Sequence, residues 1–159
     1  MSTTSANKKI LLIGRLLELG QTSSTETALF HQKAAKRLGV GITDVKAISV
    51  LMQEGPITLA ALSKRLSLTS GAVTNLVDRL ENKGMVQRKA DSGDRRKTFV
   101  TVVMGAFSHE NNPYASMGEA YAGLLDTYSV EQLTFLVEYI ERQISLTQEQ
   151  IAKLAQTEN

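Results

Sequence analysis

Residues 58–84 read TLAALSKRLSLTSGAVTNLVDRLENKG, and their periodicity decides the fold. Thr58 is a suitable helix N-cap, and Leu59, Leu62 and Leu66 follow at i, i+3 and i+7, an apolar stripe on roughly two turns. Ser67-Leu68-Thr69 then forms a tight connector. A second helix is expected from Thr69 or Ser70 to Lys83, with Val73, Leu76, Val77 and Leu80 facing inward and Gly84 closing it as the C′ residue. Two amphipathic helices joined by so short a turn are a helix-turn-helix.

The outer face of the second helix carries Gly71, Ala72, Thr74, Asn75, Asp78 and Arg79, all small or hydrogen-bonding. Such a face fits a major groove. Small residues let the backbone approach, Asn and Arg can bond adenine and guanine edges in bidentate fashion, and the first-turn amides favour phosphate. An ordinary solvated helix face is the alternative.

Downstream, residues 85–103 read MVQRKADSGDRRKTFVTVV, two strands expected over Met85 to Lys89 and Lys97 to Val103. Asp91-Ser92-Gly93-Asp94 supplies the turn, and Arg88, Lys89, Arg95, Arg96 and Lys97 crowd that end with positive charge. A helix-turn-helix followed by a basic hairpin is a winged helix, and arginines at a hairpin tip can enter a narrow minor groove. Blunting of a sheet edge is the other use for such charges.

Upstream, NKKILLIGRLLEL at 7–19 places Ile10, Leu11, Ile13, Leu16 and Leu17 mainly on one side of a helix that continues through Phe30 and Leu38, with Gly20 as a candidate kink. Gly39 and Gly41 break it. Thr43-Asp44 opens a short helix carrying Val45, Ile48 and Leu51, ending before Gly55-Pro56, and Ile57 is a candidate minimal strand. At the other end, a helix is expected from about Ala115 to Tyr128. From Val130 onward, Leu133, Val137, Ile140, Ile144, Thr147, Ile151 and Leu154 alternate spacings of four and three, a heptad seam. With the apolar first helix (Ile10, Ile13, Leu17) also needing cover, the two chain ends are expected to pair across a two-fold axis. Packing within one chain is the alternative.

The block from Thr58 to Val102 resembles the MarR family of transcriptional regulators: helix-turn-helix, closing glycine and wing come in the family's order and spacing, closely over residues 43–103. SGAVTNLVDRLENKG and the wing-tip string DSGDRRK carry it. The resemblance implies a mainly α fold with a small β-hairpin, a winged helix-turn-helix with N- and C-terminal dimerisation helices. It would be one domain over 1–159, with 43–104 as the DNA-binding lobe and 1–42 with 112–159 as the dimerisation region. It also implies a homodimer on a pseudo-palindromic operator, acting as a repressor. Ser70, Gly71, Thr74, Asn75 and Arg79 would face double-stranded DNA, Arg95 and Arg96 would act in the wing, and Asp94 would orient a wing arginine. Thr58, Lys64 and Lys83 would touch phosphates, and Arg88 and Lys97 belong to the same basic set. A small aromatic or anionic effector would bind between stem and lobe; Tyr114, His31 and Phe30 are conceivable lining residues, though none is assigned. The segment VVMGAFSHENNPYASMGEA at 102–120 departs from the family: His109 to Tyr114 are expected to form a loop where the family often has a Thr-capped helix.

Charge agrees with a polyanionic partner. Residues 64–104 hold nine Lys/Arg against four Asp/Glu, whereas 105–159 hold two against eight, so one part attracts DNA and the other repels it. The alternative is chance scatter of solvated charge. With no cysteine the chain has neither a disulfide nor a thiolate metal site. His31 and His109 have no metal-ligand spacing, and no nucleophile-base pair or phosphate-cradling loop occurs, so no enzyme, metal or cofactor is expected. No apolar run reaches spanning length and MSTTSANKK has no leader pattern, so the expected compartment is the cytoplasm without membrane contact. A winged-helix module that binds another protein is the competing reading, and five Lys/Arg around one hairpin argue for phosphate instead.

Overall fold

The computed structural model describes residues 3–90, 97–107 and 112–157. Their elements are α1 (Thr3–Leu38), α2 (Ile42–Glu54), β1 (Ile57–Thr58), α3 (Leu59–Leu66), α4 (Ser70–Asn82), β2 (Val86–Ala90), β3 (Thr98–Val102), a 3-10 turn (Met104–Phe107), α5 (Pro113–Leu125) and α6 (Val130–Thr157). The chain divides into two compact units, Met1–Pro113 and Tyr114–Asn159.

In the first unit α1 runs unbroken through Gly20, the candidate kink. It stops at Gly39, whose φ of 66° lets the Val40 amide return to the Ala35 carbonyl at 3.0 Å. Gly84 closes α4 in the same way: at φ 69° it lets the Met85 amide reach the Leu80 carbonyl at 3.0 Å. Between α3 and α4 the turn is held by the Leu68 amide donating to the Ser63 carbonyl at 3.0 Å, while the Ser63 hydroxyl donates to the Leu68 carbonyl at 2.5 Å. α2 begins at Ile42, a residue earlier than its expected opening at Thr43.

The expected hairpin is two strands of a three-stranded antiparallel sheet in the order β1-β3-β2. Val86 faces Val102 and Arg88 faces Val100, which sets Val86 and Val100 against the core, while Lys89 and Phe99 pair on the opposite face. Ile57 and Thr58 pair with Val100 and Phe99, so the minimal strand exists and ties the start of α3 to the wing. The core unites Ala47, Ile48, Leu51, Leu62, Val73, Leu76, Val77, Leu80, Met85, Val86 and Val100. At about 1.5–3 kcal/mol for each large side chain, this burial is what holds the lobe together.

The second unit has two helices. α5 starts two residues before its expected position, with Pro113 in its first turn, where a missing amide costs no helix bond. α6 is capped by Ser129: its hydroxyl accepts from the Gln132 amide at 3.3 Å and the Gln132 side chain accepts from the Ser129 amide at 2.9 Å. Of the loop expected before α5, Asn112 lies against the Phe107 carbonyl at 3.3 Å, and His109, Glu110 and Asn111 lie outside the described residues. Among the described residues no helix is long and apolar enough to cross a membrane, and no cluster of His, Asp or Glu could hold a metal ion.

Candidate nucleic-acid interface

α4 has two distinct sides. Val73, Leu76, Val77 and Leu80 are buried, as their spacing predicts, while Ser70, Gly71, Ala72, Thr74, Asn75, Asp78 and Arg79 are exposed. Thr69 caps the helix, its hydroxyl accepting from the Ala72 amide at 3.3 Å, and Thr74 donates its hydroxyl to the Ser70 carbonyl at 2.9 Å. The oxygen lone pairs of Thr74 and the carboxamide of Asn75 thus sit one turn into an exposed helix N-terminus. A Cβ at Gly71 would meet nothing within 4 Å, so no internal packing explains the missing side chain. The position is open space on the outer surface of the helix.

The basic residues divide by their partners. Arg79 donates from Nε at 3.1 Å and from Nη2 to the carboxylate of Asp44, which is 1% exposed. That hydrogen bond raises the Arg79 pKa against the opposing effect of burial. Arg88 is half-buried; burial works against its charge, and hydrogen bonds to Asp78 and Glu81 outweigh it and raise its pKa. Its guanidinium donates to Asp78 at 2.6 Å and also to Glu81, while its own amide donates to Glu81 at 2.9 Å. These bonds clasp β2 to α4. Lys83 extends over the end of α1, its Nζ 3.6 Å from where a Cβ on Gly39 would lie, where a cation favours the carbonyl end of the helix.

Lys64, Lys89 and Lys97 are exposed and form no ion pair among the described residues. Thr58 caps α3, accepting from the Ala61 amide at 3.2 Å. Asp94, Arg95 and Arg96 lie outside the described residues. The geometry therefore brings Ser70, Gly71, Thr74 and Asn75 together on one outer face with Arg79, which stays 51% exposed while paired with Asp44, whereas Arg88 ties β2 to α4 and Lys83 passes over the end of α1. Sequence reasoning passed over Asp44 and Thr69 as parts of this site. Thr69 was legible as a cap; the role of Asp44 depends on a partner 35 residues away.

Ile10, Ile13, Leu17, Val137, Ile140, Ile144, Ile151 and Leu154 are all exposed in the single chain, and Leu133 is half-buried. Within the first unit, α1, α2 and α3 border a cavity of about 610 Å³ whose walls include His31, Gln32, Lys46, Ser49 and Arg65. The rings of Phe30 and His31 meet edge to face at 5.9 Å. Tyr114 belongs to the second unit, and partial burial pushes its phenol pKa up.

The sequence model of the MarR family matches residues 42–98, which run from α2 through the start of β3. The chain is similar to the HTH-type transcriptional regulator YcgE of Bacillus subtilis, 33% identical over 140 residues that cover 88% of this chain and 91% of that protein. It is similar to the HTH-type transcriptional repressor NicR of Pseudomonas putida, 32% identical over 88 residues, 55% of this chain and 54% of that one. In fold it matches a MepR variant of S. aureus bound to an oligodeoxyribonucleotide, with a TM-score of 0.55 and 18% identity over 83% of this chain and 97% of that one.

Proposed function

Because the chain belongs to the MarR family of transcriptional regulators, with the winged-helix fold that binds DNA, we propose that it is a homodimeric repressor of a pseudo-palindromic operator. The outer face of α4 carries this reading: a capped helix with an exposed N-terminus, clearance at Gly71, and Thr74 and Asn75 placed to bond base edges. Ser70 and the first-turn amides meet phosphate, and Lys64, Lys89 and Lys97 add sequence-independent attraction. Arg95 and Arg96 act from the wing in the flanking minor groove, with Asp94 orienting one of them. Repression is supported by the likeness to NicR, named a repressor. The exposed seams of α1 and α6 are then covered by a second copy, which sets two α4 helices on successive half-sites. A small aromatic or anionic molecule releases the operator, and the cavity beside His31 and Lys46 has room for one.

A fluorescence anisotropy titration against duplexes selected from a random library tests this. Wild type is expected to prefer selected over scrambled duplex, with a log-log salt slope of roughly −0.9 per phosphate neutralised. Asn75→Ala relaxes the sequence preference and Arg96→Ala weakens binding to both duplexes. Absence of specific binding at low salt sinks the proposal and favours a protein-binding module.

A further inference from the structure

Asp44 is the one buried charged residue among those described, and nothing in the groove-facing surface requires it. It stands in the first turn of α2, where its Oδ2 accepts from the Gly41 amide at 2.9 Å. Both carboxylate oxygens are also taken by Arg79, in a two-point fork that fixes the plane of the guanidinium as well as its distance. The Gly39 to Asp44 turn therefore holds α4 through Arg79, and Lys83, a turn further on, passes over Gly39. A buried ion pair is a poor way to gain stability, because desolvation offsets the attraction and an apolar pair of similar volume does as well. What such a fork adds is a fixed orientation. Arg79 lies one turn beyond Asn75, so a small rotation of α4 about this anchor displaces Thr74 and Asn75 by a comparable arc.

We propose that Asp44 is a positioning residue for DNA reading, acting through Arg79 to fix the rotation of α4, and that Arg79 itself reads no base. This deepens the function proposed above and rests on α4 being the reading helix. The connection also runs from the end of α1, a helix with an exposed apolar seam, to the reading face, by way of one turn and one ion pair.

The test measures discrimination, the ratio of affinities for a selected and a scrambled duplex, together with the salt slope, for wild type, Asp44→Asn, Arg79→Met, the double variant Asp44→Leu/Arg79→Met, and Asn75→Ala. If Asp44 acts through Arg79, both single variants lose discrimination by about tenfold or more, the double variant loses no more than the worse single, and all keep the wild-type salt slope. A structural loss alone would reduce the fraction of active protein and leave the ratio intact. Two results overturn the proposal: Asp44→Asn retaining wild-type discrimination, or Arg79→Met lowering the slope by about one contact. Should the single variants fail to fold, the double variant leaves no orphaned charge and decides alone: lost discrimination at the wild-type slope supports the positioning role, and retained discrimination overturns it. If Asn75→Ala matches a wild type that itself discriminates poorly, reading by α4 fails and the positioning role falls with it. If Asn75→Ala loses discrimination and the Asp44 and Arg79 variants do not, only the positioning role falls.

Discussion

Leu80 in α4 and Ile140 in α6 belong to equally regular apolar repeats, yet the first is 0% exposed and the second 49%. α4 lies against α3 and β2, which supply its cover from the same unit. Along α6, Val137, Ile144, Ile151 and Leu154 are all as open as Ile140. The winged-helix lobe has a core of its own, and α6 presents a seam. The same 3.6-residue arithmetic therefore yields a buried surface in one region and an exposed one in the other, and the repeat alone does not say which.

The largest expected effect breaks the comparison on the α6 side. Ile140→Asp with Ile144→Asp puts four carboxylates into a two-copy seam and forfeits burial of roughly 1.5–3 kcal/mol per side chain. Sedimentation should then show the monomer mass, with the operator bound at least a hundredfold more weakly, while the lobe keeps its helical circular dichroism. A double variant that remains a dimer at micromolar concentration rules out this seam as the dimer contact.

On the lobe side, Leu80→Ala leaves a cavity between α4, α3 and the sheet and is expected to cost about 2–5 kcal/mol. In thermal melts the midpoint should fall by on the order of 10 °C or more. The assembly state at low temperature should be unchanged, since Leu80 touches no exposed seam. A Leu80→Ala protein that melts like wild type would show that the lobe draws its stability from elsewhere.

How far each region was legible follows from the range of the interactions that shape it. The helices of residues 58–84 were readable to within a residue, because caps such as Thr58 and stripes such as Val73 to Leu80 are local. The third strand was only a candidate at Ile57, since two residues carry no periodicity. Arg79 and Arg88 read from sequence as exposed cations beside DNA. Their carboxylate partners lie 35 residues away in α2 for Arg79, and 7 and 10 residues away across the α4–β2 boundary for Arg88, where spacing gives no address. Ser70, Gly71, Thr74, Asn75 and Arg79 fall on one exposed face, as their spacing predicts, because one helix carries all five.

The smallest expected effects sharpen the contrast at the two caps. Thr69→Ala removes the acceptor for the Ala72 amide at the start of α4, and Ser129→Ala removes the acceptor for the Gln132 amide at the start of α6; each should cost about 1 kcal/mol. They differ with pH. The Ser129 hydroxyl donates to Glu131 at 2.8 Å, and this bond, ahead of a backbone bond, holds the Glu131 carboxyl below its usual range. A carboxyl with a lowered folded pKa contributes stability that is present above its unfolded pKa and lost as the pH falls through the folded one. Acidification through the carboxylate range should therefore narrow the gap between wild type and Ser129→Ala and leave the gap for Thr69→Ala unchanged, because among the described residues no titrating group bonds to Thr69. Parallel pH profiles for both variants would mean that Ser129 acts only as a cap, with the charge of Glu131 incidental to the start of α6.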